Sequence, residues 1–224
     1  MFKIDTTKYK AFLFDLNGTM IHDMPYHVNA WHKVILEMGG TLSESEMKDQ
    51  CYGKGEEMLE RIFPGKYTQQ ERIAISEAKE AKYRLDYLPE LKLIEGLAEL
   101  LMRANQYQIK LGIGSAANNL NIDFVVDNLN IRALMQAIIS GEMVSESKPH
   151  PETFLKCAEL LAIPIPQCLV FEDTPKGVAC AANAGMDVIV LTTTHPKSDF
   201  EDFSNIIHFA EDYKEIELSV TTNQ

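Results

Sequence analysis

Five short apolar segments do most to limit what this chain can fold into. Residues 11–14, 109–113, 137–139, 169–171 and 188–191 each give way to polar or turn-forming residues. Their length and bulk fit strands buried on both faces, as in a parallel sheet covered by helices. Between them run patterns of helical period. Leu97, Leu100, Leu101 and Ala104 share one face, as do Phe154, Cys157, Leu160 and Leu161 in a segment opened by Pro151. From about residue 95 onward, strand and helix alternate as in a doubly wound parallel sheet, and the handedness of crossovers leaves few topologies.

Residues 20–94 do not join this alternation. Residues 26–38, 56–63 and 68–88 read as amphipathic helices, the last rich in Glu, Lys and Arg and ending before Pro89. The expected architecture is therefore α/β, a Rossmann-like doubly wound parallel sheet with a small all-helical domain inserted between its first and second strands. Residues 1–20 and 95–224 form the core, and residues 21–94 form the insertion. Glu77, Lys79, Glu80 and Lys82 read as a solvated helix face. Ala179, Ala181, Ala182 and Ala184 let the helix after Pro175 approach the sheet, with Gly185 as its stop. The polar tail after Asp212 is expected to fray.

Composition removes several classes of function. The 21 basic and 33 acidic residues give a formal charge of −12, which leaves no basic stripe for nucleic acid. No apolar run approaches the roughly 18 residues of a membrane span, and no basic-then-apolar leader opens the chain. Cys51, Cys157, Cys168 and Cys180 lack C-x-x-C spacing, so no zinc knuckle or dithiol motif is written. A cytoplasmic monomer binding neither nucleic acid nor membrane is expected.

In open parallel sheets, ligands sit beyond the carboxyl ends of the strands. Phe14 is followed by Asp15-Leu16-Asn17-Gly18-Thr19, and Ile113 by Gly114-Ser115-Ala116-Ala117-Asn118. The segment after Ile139 leads to Lys148-Pro149, and Phe171 is followed by Glu172-Asp173-Thr174-Pro175. Four strands thus deliver a carboxylate, a hydroxyl, an ammonium and an acidic pair to one rim. Each feature alone also fits a turn or a helix cap; their order at strand ends makes them informative as a set.

This set resembles the haloacid dehalogenase-like superfamily, whose motifs are D-x-D-G-T/V, a strand-ending Ser or Thr, a Lys and an acidic pair. Met24-Pro-Tyr-His27 with Trp31, Ser115-Ala116 with Asn118, and Phe171-Glu-Asp-Thr-Pro-Lys-Gly177 are similar to its β-phosphoglucomutase-like branch. That branch carries a helical cap where the insertion falls here. The resemblance implies Mg²⁺-dependent phosphoryl transfer on a small phosphorylated metabolite, by a phosphatase or a sugar-phosphate mutase. Asp15 would be the nucleophile that forms an aspartyl phosphate. Mg²⁺ would be held by Asp15, the Asn17 backbone carbonyl and Asp173, with Glu172 supporting or joining that shell. Gly18, Ser115, the Ala116 amide, Asn118 and Lys148 would hold the phosphoryl oxygens.

Asn17 departs from this pattern, since the branch has an acid–base Asp there. An amide has no useful pKa, so ordinary phosphomonoester turnover is expected to fall by about 10²–10⁴-fold. His22 or Asp23 is a candidate substitute. His27 matches a histidine that the mutases use to assist the acid–base group. Gly53 and Lys54 lie where the cap's specificity loop is expected, although Glu56 replaces the mutases' arginine. Two rivals stay open. One is a non-catalytic phosphate-binding protein, motivated by Asn17; the other is a metal-independent haloacid dehalogenase, disfavoured by Glu172 and Asp173.

Overall fold

In the computed structural model, which describes residues 1–220, the elements in chain order begin with β1 (Phe2–Asp5) and β2 (Ala11–Phe14). Four helices follow: α1 (Met24–Glu37), α2 (Glu44–Gln50), α3 (Gly55–Ile62) and α4 (Gln69–Tyr87). Then come α5 (Leu97–Gln106), β3 (Lys110–Gly114), α6 (Asn119–Asn128), β4 (Ala137–Ile139) and α7 (Glu152–Leu161). The remainder is β5 (Cys168–Glu172), α8 (Pro175–Ala184), β6 (Asp187–Leu191), β7 (Ile206–Ala210) and β8 (Ile216–Ser219).

The main sheet is parallel throughout, in the order β4-β3-β2-β5-β6-β7. Its central strands β2 and β5 are buried along their whole length, as continuous apolar runs covered on both faces must be. The chain builds one half outward from β2 through β3 and β4, then returns to build the other from β5. The order therefore switches between β2 and β5, the place where a doubly wound sheet opens a crevice. There Phe14 is in register with Phe171, and the Asp15 amide donates to the Phe171 carbonyl at 3.0 Å. Asp15 is thereby set beside the acidic pair that follows β5.

Helix α8 shows how local sequence serves the site. Thr174 caps it, its hydroxyl accepting from the Gly177 amide at 3.1 Å, and Pro175 occupies the first turn. Gly177, Ala181 and Ala184 are buried, whereas Ala182 is exposed and Ala179 half-exposed, so only part of the expected alanine face meets the core. Gly185, at φ +76°, ends the helix in the left-handed region.

Two compact units divide the chain: Met1–His22 with Lys92–Gln224, and Asp23–Leu91. The second contains α1 to α4 and has its own core of Val28, Trp31, Ile35, Met47, Met58 and Leu59. The first contains both sheets.

The structure corrects the sequence reading in several places. β1 precedes the strand taken as first, so the helical insertion follows β2. The tail does not fray through residue 219: β8 pairs in parallel with β1, Phe2 opposite Ile216, while Tyr213, Ile216 and Leu218 are buried. Lys79 and Glu80 are also buried and not solvated. The Lys79 ammonium contacts Glu80 at 2.8 Å and His27 Nδ1 at 2.6 Å, and lies over the rings of Trp31 and Tyr83. Charge pairing and ring faces offset the cost of burying it.

Candidate active site at the sheet crevice

The turn after β2 is anchored from inside. Leu16, Met20 and Ile21 are fully buried, and the Gly18 amide donates to the Ile21 carbonyl at 2.9 Å. Gly18 sits at φ +77°, and a Cβ there would lie 2.2 Å from Asp173 Oδ2. Only glycine meets both demands, the left-handed backbone and the close approach to the acidic loop.

Lys148 joins the two acidic segments. Its ammonium donates to Asp15 Oδ1 and to Glu172 Oε1, each at 2.7 Å. Burial alone would lower its pKa, but the carboxylates of Asp15 and Glu172 outweigh that and hold it well above the usual lysine range. The other Glu172 oxygen accepts from the Asp173 amide at 2.8 Å and from the Thr174 amide at 2.9 Å. Both oxygens of Glu172 are thus committed to shaping the loop and holding Lys148. Gly177 makes room for this carboxylate, since a Cβ there would fall 1.8 Å from it.

Asp173 is only 1% exposed. Its Oδ1 accepts from the Thr19 hydroxyl at 2.9 Å and its Oδ2 from the Thr194 hydroxyl at 2.5 Å. Burial, then the nearby charges of Glu172 and Asp15, push its carboxyl well above the ordinary range. Three carboxyl groups share one ammonium here, and a cation would relieve the repulsion that disfavours ionisation of Asp173. Among the described residues no group of three or more His, Cys, Asp or Glu side chains is arranged to hold a metal alone. Mg²⁺ does not require one, because it typically takes one or two carboxylates and keeps several waters. The oxygen donors present fit such an ion.

Of the expected phosphate-binding residues, Ser115 is buried at the end of β3 and its hydroxyl accepts from the Ala117 amide at 3.2 Å. Ala116 follows it, half-buried. The Asn118 side-chain oxygen caps α6 by accepting from the Asn121 amide at 2.8 Å. Asn17 is half-buried, in a bridge with Ile21.

The structure therefore brings together Asp15, Gly18, Lys148, Glu172 and Asp173. His27, Gly53 and Lys54 belong to the helical unit. His27 lies 3.3 Å from Asp23 Oδ2 and stacks on Tyr83, whose hydroxyl donates to Asp23 at 2.5 Å. Gly53 has φ +72°, and Lys54 caps α3, its amide donating to Glu57 Oε2 at 3.1 Å. Of the two candidate substitutes for an acid–base group, Asp23 is fully buried in this cluster and His22 is exposed.

Sequence reasoning missed three contributors to the crevice. The Thr193 hydroxyl donates to the Gly18 carbonyl, Thr194 to Asp173, and Tyr213 to the Thr19 carbonyl at 2.9 Å. The available signal was position: Thr193 and Thr194 follow β6, another strand that ends on the same rim. Tyr213 lay in the stretch read as frayed.

Comparison with known proteins places this geometry in context. The sequence profile of the family described as haloacid dehalogenase-like hydrolase matches residues 12–191. The chain is 30% identical to a β-phosphoglucomutase of Bacillus subtilis, over 79% of this chain and 80% of that protein. It is 29% identical to the validoxylamine A 7′-phosphate phosphatase of Streptomyces hygroscopicus, over 84% and 87% of the two chains. Among solved structures, a haloacid dehalogenase hydrolase from Entamoeba histolytica superposes with a TM-score of 0.83 at 26% identity, covering 92% of this chain and 95% of the other.

Proposed function

The chain belongs to the haloacid dehalogenase-like hydrolase family, and from that premise we propose that it transfers phosphoryl groups from a small phosphorylated sugar or sugar-like metabolite. Support comes from similarity to a β-phosphoglucomutase and a validoxylamine A 7′-phosphate phosphatase. The observation that carries the reading is the Asp15 carboxylate, held by Lys148 at 2.7 Å beside Asp173 at the crevice.

Asp15 is the nucleophile. One of its oxygens forms a bond to phosphorus as the ester P–O bond breaks, giving an aspartyl phosphate and a sugar oxygen that leaves as the alcohol with a proton from solvent. Water then attacks phosphorus, the bond to Asp15 breaks, and inorganic phosphate leaves. A sugar hydroxyl in place of that water would make the reaction a mutase. Mg²⁺, held by Asp15, the Asn17 carbonyl and Asp173, would neutralise charge on the phosphoryl oxygens. Lys148, Ser115, the Ala116 amide and the Asn118 amino group position those oxygens, and Gly18 lets the backbone come close. Glu172 orients Lys148 and the loop, and the donors already held by both its oxygens favour support over direct ligation. The helical unit is the cap in this reading, with Gly53 and Lys54 as its specificity residues and His27 as the helper of the first motif.

Asn17 favours a second reading. Without an acid–base carboxylate the chain binds phosphate esters and turns them over slowly, or not at all. Phosphate release from a panel of sugar phosphates distinguishes the two. Release that requires Mg²⁺ and is lost in Asp15→Ala supports the enzyme; binding of Mg²⁺ and phosphate without release supports the second reading. Chloride release from a halo-acid, unaffected by EDTA, contradicts both.

A further inference from the structure

Three consecutive threonines follow β6, and each sends its hydroxyl to a different partner. Thr192 reaches the Ala210 carbonyl of β7 at 3.4 Å, which ties two neighbouring strands. Thr193 reaches the Gly18 carbonyl at 2.5 Å, and Thr194 reaches Asp173 Oδ2 at 2.5 Å. The last two therefore connect the turn after β2 with the acidic loop after β5. Contact is close: a Cβ on Gly18 would meet Asp173 Oδ2 at 2.2 Å and the Thr194 methyl at 2.9 Å.

The Thr194 oxygen also lies 2.9 Å from the Asp173 carbonyl and 2.9 Å from His195 Nδ1. A hydroxyl has one proton to donate. In the imidazole tautomer with hydrogen on Nδ1, His195 donates into that oxygen, and the threonine proton is left for Asp173. Thr19 serves the opposite carboxylate oxygen. Two neutral hydroxyls thus hold the carboxyl group from both sides without placing a positive charge where a cation would sit.

We propose that Thr194 is a positioning residue for the divalent ion of this crevice, holding the Asp173 carboxyl group in one orientation. Thr193, through the Gly18 carbonyl, fixes the turn that carries the Asn17 carbonyl. The inference rests on the Mg²⁺-dependent reading above and adds residues to it that the motifs do not contain.

The test is divalent-ion binding to the intact chain without substrate, by calorimetric titration with Mg²⁺ and by the resonance of bound Mn²⁺. Removing an orienting partner of a ligand typically costs about 10–100-fold in metal affinity, and Thr194→Val is expected to fall in that range. Thr194→Ala is measured beside it, in case the valine methyl crowds the carboxylate. Thr194→Ser restores the hydroxyl and binds close to the parent. Thr192→Val removes only the hydroxyl contact with Ala210, whose carbonyl the Thr192 amide still reaches at 2.9 Å, and leaves binding unchanged. Parent-like binding by both Thr194→Val and Thr194→Ala overturns the inference, as does an equal loss in Thr192→Val. A parent chain that binds no divalent ion overturns the metal reading itself, and the inference falls with it.

Discussion

The Lys148 ammonium donates at 2.7 Å to Oδ1 of Asp15, the residue placed here as the nucleophile. The same ammonium holds Glu172 at 2.7 Å, so one cation joins two strand ends separated in sequence by more than a hundred residues. Removing one partner of a buried charge pair is costly because the other is left uncompensated, by roughly 3–5 kcal/mol. Lys148→Met is expected to destabilise the metal-free chain on that order. Urea unfolding checks it, and a change below about 1 kcal/mol would mean the pair behaves as a surface contact.

In the proposed reaction, Asn17 separates binding from turnover. Asn17→Asp introduces the missing acid–base group and is expected to raise the rate on alkyl phosphates by about 10²–10⁴-fold. The gain on an aryl phosphate is smaller, since that leaving group departs with little need of a proton. Initial rates on both substrate classes provide the check; equal gains would assign Asn17 some other role.

Gly177 is the space into which Glu172 fits, with a Cβ placed 1.8 Å from its carboxylate. Gly177→Ala in an isolated helix would be favourable by about 1 kcal/mol. Here it is expected to destabilise instead, because the side chain that anchors Lys148 must move. Thermal unfolding gives the sign directly, and a raised midpoint contradicts the packing described.

Stability should also depend on pH through Asp173. Its folded pKa is raised, first by burial and then by Glu172 and Asp15, so the folded chain binds that proton more tightly than the unfolded one. Stability of the metal-free chain is therefore lost as pH rises from about 4, the unfolded carboxyl value, through the raised folded value. A bound divalent ion cancels the repulsion. The gain in unfolding temperature on adding Mg²⁺ is expected to be larger at pH 8 than at pH 5. A gain independent of pH would remove Asp173 from the ion's surroundings.

What the sequence discloses follows from how local each cause is. β2 and β5 announce themselves as apolar runs, and the polar residues that follow them mark the crevice. The pairing of Phe2 with Ile216 is not local. Each strand is four residues long, and neither reads as a strand until its partner from the other end of the chain is present. Lys79 and Glu80 look solvated because charged residues usually are. Their burial depends on His27, Trp31 and Tyr83, which only the folded helical unit brings to them. Thr193 and Thr194 resemble turn residues, and their role depends on the acceptors they meet at the rim.

The most direct measurement is the site of covalent phosphorylation. On the proposed reading, in which Asn17 slows release, brief exposure to an aryl phosphate and Mg²⁺, followed by acid quench and peptide mass spectrometry, should place one acid-stable, base-labile phosphoryl group on Asp15. Asp15→Ala should carry none. A phosphoryl group found on another residue, or one that persists in Asp15→Ala, contradicts the account.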